Sequence, residues 1–269
     1  MKNFLMTVAL AATALCVNAI KPVTVDLRPE NSEPEEKATL EVYLPEKCDT
    51  RGAVVMCPGG GYGFVSVENE GRNWVEWFTD RGIATAVLVY RLPRQRHTVP
   101  LADCTAAIEC VRQNSAKWGI PSGHTGVMGF SAGGHLASTM ATHYGESSRP
   151  DFQILIYPVI TMDKAITHMG THDSLIGTEP STALETLYSN ELQVTPQTPP
   201  AFIFTCEDDD VVHPDNSIRY YQALTANKVP SELHIYPTGG HGFGFNPRFT
   251  YHNQMLWLLE SWFNTTVFK

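Results

Sequence analysis

Residues 125–133 read Thr125-Gly126-Val127-Met128-Gly129-Phe130-Ser131-Ala132-Gly133, a short apolar run that stops at a serine with a glycine two positions away on each side. The run has the length and residue types of a buried strand. The small-residue stretch Ala132–His143 behind it predicts a helix. A strand turning directly into a helix at Gly-x-Ser-x-Gly is a nucleophile elbow. The sharp turn forces Ser131 into strained backbone, and a Cβ on either flanking glycine would clash. It also sets the serine at a helix start, where the amide of Ala132 and the helix dipole favour negative charge.

Outward from the elbow, short apolar runs rich in β-branched residues recur at Ala53–Cys57, Ala84–Tyr90, Phe152–Tyr157, Ala201–Cys206 and Ser231–Tyr236. Helical patterns separate them, at Trp74–Arg81, Leu101–Trp118, Ser217–Ala226 and about Tyr251–Phe263. In the second of these, Leu101, Thr105, Ile108, Val111, Ser115 and Trp118 recur at steps of three and four, giving one largely apolar face. This alternation predicts an α/β fold, a mostly parallel central sheet with helices on both faces. Chemistry in such sheets gathers beyond the carboxyl ends of the strands, so the residues after each run are the ones to inspect. Pro158–Pro200 lacks a clear pattern and is read as an irregular lid or substrate-shaping insertion.

A serine hydroxyl is a weak nucleophile at neutral pH and needs a histidine to accept its proton, with a carboxylate to orient that histidine. Four consecutive acids, Glu207-Asp208-Asp209-Asp210, follow the Ala201–Cys206 run. Asp209 is chosen for its Asp-x-x-Val spacing to Val212, with Asp208 as runner-up. His241 is the base, lying in Gly239-Gly240-His241-Gly242-Phe243-Gly244 after the last strand. His168, His172, His213 and His234 are alternatives without both the chain order and the flexible loop. Pro58-Gly59-Gly60-Gly61-Tyr62 follows the first strand, so the amides of Gly60 and Gly61 join that of Ala132 as an expected oxyanion hole. The loop lacks the Lys-Ser or Lys-Thr of a phosphate cradle. Tyr62 and Phe64, adjoining it, are expected pocket walls.

The chain has 269 residues, 43% of them hydrophobic, and a formal net charge of −9. Without a basic run interleaved with aromatics, nucleic acid is not an expected partner. Met1-Lys2 and the apolar run Phe4–Val17, closing on Val17-Asn18-Ala19, read as a signal peptide over residues 1–19 and imply a secreted or periplasmic protein. Lipidation at Cys16 is a weaker reading, because Leu15 before it is large. No later segment approaches the length of a membrane span. Residues 20–38 are expected to be an exposed arm and 39–269 a catalytic domain. Cys48, Cys57, Cys104, Cys110 and Cys206 are scattered without metal-ligand spacing, so neither a metal site nor a disulfide scaffold is implied, and no cofactor is expected. Arg91 is read as part of a buried turn in preference to a substrate contact, Asp103, near a helix start, as a capping or dipole partner, and Trp74 and Trp77 as packing residues.

With these motifs in place, the chain resembles esterases of the α/β-hydrolase fold, close to the hormone-sensitive-lipase and acetylxylan-esterase-like families. The resemblance is carried by Pro58–Tyr62, Glu70-Gly71-Arg72, Tyr90-Arg91-Leu92-Pro93, Gly129–Leu136, Thr198–Phe202, Asp209–Val212, Asn216-Ser217 and Gly239–Gly244. Pro58 departs from the histidine that lipase-like relatives carry before the three glycines, and His213 from the proline common after Val-Val. The resemblance implies hydrolysis of acetyl or other short-chain esters on a small molecule or plant-derived oligosaccharide such as xylan. An arylformamidase or small-peptide amidase on the same triad, and a non-catalytic binding protein, are the alternatives.

Overall fold

The computed structural model describes residues 21–29, 37–46 and 49–269. The expectations for residues 1–19, Cys16 and Cys48 lie outside these. Among the described residues eight strands form one sheet: β1 Val23–Leu27, β2 Ala38–Tyr43, β3 Gly52–Cys57, β4 Ile83–Val89, β5 Thr125–Phe130, β6 Gln153–Ile156, β7 Ala201–Cys206 and β8 Ser231–Tyr236. Their order is β1-β2-β4-β3-β5-β6-β7-β8. The β1–β2 and β2–β4 pairings are antiparallel, and every pairing from β4 to β8 is parallel. The α/β expectation is met, with a mixed edge.

Among the described residues eight α-helices accompany the strands: α1 Val75–Thr79, α2 Thr98–Gln113, α3 Ser115–Trp118, α4 Ser131–Thr142, α5 Met169–Ile176, α6 Thr182–Tyr188, α7 Asp215–Ala226 and α8 His252–Trp262. Alternation along the central strands sorts the core into two layers, because successive side chains point to opposite faces. Val55, Leu155 and Ile203 meet Ile108 and Val111 of α2, Leu136 and Met140 of α4, and Tyr220 and Leu224 of α7. Val54, Met56, Ile154, Phe202 and Phe204 instead meet Trp74, Trp77 and Phe78 around α1 and Met255, Leu259 and Trp262 of α8. Trp74 and Trp77 therefore pack a helix onto the sheet, as their sequence suggests.

Three expectations need correction. Residues 23–27, read as part of an exposed arm, form the edge strand β1, in which only Leu27 is buried, so no buried run announces it. Pro158–Pro200 contains α5 and α6, which are stopped short by Gly177 and Ser189 and so show little helical periodicity. Asp103 is not a cap. It is fully buried in mid-α2 and ion-paired with the Arg91 guanidinium at 2.6 Å, while also accepting the Arg91 amide at 2.8 Å. That pair fixes the turn after β4, the structural role expected of Arg91. Among the described residues no helix is long and apolar enough to cross a membrane, and no cluster of three or more His, Cys, Asp or Glu side chains could hold a metal ion.

Candidate active site

The elbow takes the form its sequence requires. Ser131 follows β5 directly, opens α4 and has φ of +52°, a left-handed conformation that side chains other than glycine rarely adopt. A Cβ on Gly129 would strike the carbonyl oxygen of Gly133, and one on Gly133 would strike that of Cys57. The two glycines thus let α4 fold back against β5 and β3. Strain of this kind persists only where the surroundings impose it. Here the Ser131 carbonyl accepts from the Val159 amide at 3.0 Å, tying the turn to the chain after β6.

His241 lies with its Nε2 2.9 Å from the Ser131 Oγ. Its Nδ1 lies 2.7 Å from Asp209 Oδ2. An ionised carboxylate only accepts, so Nδ1 carries the ring proton and Nε2 is left to accept from the serine. Asp209 is held in turn by the amides of Val211 at 3.0 Å and Val212 at 2.8 Å, both donating to Oδ1. The Asp-x-x-Val spacing thus has a geometric reason: the chain turns over the carboxylate and frees its other oxygen for the imidazole. Asp208 faces the other way and accepts from the amides of Gly239 at 3.1 Å and Gly240 at 2.8 Å, fastening the histidine loop. Of the two aspartates, Asp209 meets His241 and Asp208 positions the loop that carries it.

Gly60 and Gly61 border the same cavity as Ser131 and His241, with Phe64 and His168, in a space of about 310 Å³. Gly60 has φ of +122°, and its carbonyl accepts from the amides of Gly63 at 2.9 Å and Phe64 at 3.2 Å, which curls the loop around. Among the described residues no acceptor takes the Gly60 or Gly61 amide, so both remain free for a ligand. Ala132 is the first residue after the elbow serine and is fully buried. Phe64 is 63% exposed at the cavity mouth, consistent with the wall expected there.

Tyr62 is not a wall of this cavity. Its backbone has φ of +58°, and its side chain is buried in the core at 3% exposure. Its hydroxyl lies 3.2 Å from His135 Nδ1, while His135 Nε2 lies 2.9 Å from the Tyr188 carbonyl. A carbonyl can only accept, so Nε2 donates and Nδ1 accepts from Tyr62. Burial pushes the His135 pKa down to about 4, so the ring is neutral at ordinary pH.

Two cavity residues escaped the motif reading. His168, weighed only as an alternative base, caps α5 by accepting the Thr171 amide at Nδ1 over 3.2 Å. Burial, then the neighbouring His241, hold its pKa below the usual histidine value. Glu70, noted only within a family motif, is a buried carboxylate on the cavity wall. His172, His213 and His234 are not among the cavity residues. Cys57 and Cys104 face each other as free thiols, their sulfurs 3.8 Å apart, and Cys206 is buried and free.

Comparison with known proteins agrees with this fold. A family model described as alpha/beta hydrolase fold matches residues 54–245. An acetylxylan esterase of Xylanibacter ruminicola is 37% identical over 97% of the chain and 54% of its own length. An endo-1,4-beta-xylanase B of Butyrivibrio fibrisolvens is 34% identical over 76% of the chain and 34% of its own length. The chain thus spans about half or less of these two relatives. The crystal structure of an acetyl ester-xyloside bifunctional hydrolase from Caldicellulosiruptor lactoaceticus superposes with a TM-score of 0.85, at 32% identity, over 94% of this chain and 99% of that one.

Proposed function

The chain belongs to the alpha/beta hydrolase fold family, and from that premise we propose that it is a serine carboxylic ester hydrolase that removes acetyl groups from xylan or xylan-derived oligosaccharides. The observation that carries the reading is the continuous relay from the Ser131 hydroxyl through the imidazole to Asp209, with gaps of 2.9 and 2.7 Å. In it, His241 takes the serine proton as Oγ attacks the ester carbonyl, and Asp209 stabilises the imidazolium that forms. The amides of Gly60, Gly61 and Ala132 receive the oxyanion. His241 then returns the proton to the departing sugar hydroxyl, leaving acetyl on Ser131. Water, deprotonated by the same imidazole, releases acetate and restores the enzyme.

The acetyl and xylan parts of the proposal draw on the activities named for the Xylanibacter and Caldicellulosiruptor relatives. The cavity is compatible, being open at its mouth and bordered there by the exposed Phe64 ring. Export is a further part of the proposal, supported by the charged start and apolar run of residues 1–19. The test is acetate release from acetylated xylan beside turnover of p-nitrophenyl acetate, for wild type and Ser131→Ala. Both activities should be present in the wild type and vanish in the variant. Retention in the folded variant contradicts the proposal.

A further inference from the structure

Glu70 is a buried carboxylate facing the reacting groups, and among the described residues no lysine or arginine pairs with it. Burying a carboxylate without a cation is costly, so the hydrogen bonds that hold it there matter. Its Oε2 accepts from the Gly59 amide at 2.8 Å, immediately before Gly60 and Gly61. Its Oε1 accepts from the Tyr157 hydroxyl at 2.8 Å. That hydroxyl accepts in turn from the Gly244 amide at 2.9 Å, at the far end of the histidine loop. The Tyr157 ring lies against His241, with centroids 4.7 Å apart. One carboxylate therefore joins two loops that come from opposite ends of the chain and must keep a fixed spacing for acyl transfer.

We propose that Glu70 is a positioning residue that clamps the Gly59–Gly61 loop to the histidine loop through Tyr157, and that its negative charge supports the imidazolium of His241. The proposal rests on the reading of Ser131, His241 and Asp209 as the reacting relay. Around His241 stand Asp209 at Nδ1, Glu70, the half-buried His168 and the Tyr157 ring. Around Glu70 stand the Tyr157 and Ser66 hydroxyls, the Gly59 amide and His241. Burial raises the Glu70 pKa, and the two hydrogen bonds from Tyr157 and Gly59, then His241, pull it back toward the charged form. An anion beside an imidazole favours its protonated form, which is the form generated as the tetrahedral intermediate builds. A side chain that served packing alone would leave the titration of His241 unaffected.

The experiment is the pH profile of kcat/KM on p-nitrophenyl acetate for wild type, Glu70→Gln, Tyr157→Phe and Ser131→Ala, with folding followed by circular dichroism. Glu70→Gln should lose roughly tenfold in kcat/KM, the equivalent of about one pKa unit of imidazolium stabilisation. Its acid limb should move to lower pH, because without the nearby anion His241 stays neutral further into acid. Tyr157→Phe keeps the charge but breaks the link to Gly244, so it should lose activity while its acid limb stays in place. A Glu70→Gln variant with wild-type activity, or one that loses activity with an unmoved acid limb, overturns the electrostatic role. Should Glu70→Gln not fold, a Tyr157→Phe variant as active as wild type overturns the clamp. Activity persisting in Ser131→Ala would instead strike the reading of the relay itself, whatever Glu70 does.

Discussion

Two buried carboxylates, Asp103 and Asp209, each hold a basic side chain, yet the structure uses them differently. Asp103 meets Arg91 at 2.6 Å with both side chains sealed from solvent, at 0% and 7% exposure. Asp209 meets His241 at 2.7 Å with the carboxylate equally sealed, but the imidazole keeps 15% exposure and opens onto the cavity. Arginine is charged at every working pH and presents a planar fork, so its pair is permanent and fixes a turn. Histidine can gain and lose a proton near neutral pH, so its pair can take part in chemistry. Burial and salt-bridge geometry alone do not separate a structural pair from a reactive one. The partner's proton chemistry and its access to a cavity do.

That contrast sets the order of expected effects. Asp209→Asn should leave the fold intact and lower kcat by about 10⁴-fold, because an amide at that position favours the wrong imidazole tautomer. A folded Asp209→Asn with near-normal kcat would remove the distinction between the two pairs. Asp103→Ala should do the reverse. Leaving the Arg91 charge buried and unpaired should cost about 3–5 kcal/mol of stability in urea unfolding, with little change in kcat for the fraction that stays folded.

A further base, the fully buried His135, sharpens the comparison from the stability side. Its folded pKa of about 4 lies below the ordinary histidine value of 6.5, so the unfolded chain binds a proton between these limits that the folded chain does not. Stability supported by the neutral ring is thus fully present above pH 6.5 and is lost as pH falls toward 4. The contribution should reach about 3 kcal/mol at most. Unfolding midpoints at pH 7 and pH 4.5 should show it, and the drop should shrink in His135→Gln. The smallest effect is expected from Asp208→Asn. It weakens two bonds to the Gly239 and Gly240 amides without touching the imidazole, so a loss of about tenfold or less in kcat is expected.

Much of this was legible in the sequence for a local reason. Strands β5 and β7 are fully buried, largely apolar runs ending at a glycine-rich or acidic turn, β8 alternates polar with apolar residues before a glycine-rich loop, and the boundaries of all three match the sequence reading residue for residue. The residues expected to react lie just after those ends, so chain position alone located them. Strand β1 and helix α6 are short and largely exposed, and helix α5, though half buried, spans only eight residues and buries a threonine and a histidine beside Leu175 and Ile176, so none of the three carries a strong periodic signal. Tyr62 departs from its expected place because adjacency to the glycine loop says nothing of direction, and its ring packs inward against His135. Glu70 gave no signal of its partnership, since the hydroxyl it binds is 87 residues away. Asp103 looked like a cap because its partner, 12 residues back, comes near only once β4 and α2 pack.

The account depends on Ser131 being an activated nucleophile, and a fluorophosphonate tests this most directly, since it bonds covalently only to such a serine. Intact mass followed by peptide mapping should show a single adduct on Ser131, lost in His241→Ala and suppressed by prior incubation with acetylated xylo-oligosaccharide. A folded wild-type protein that takes up no label, or takes it up at another residue, would contradict the account.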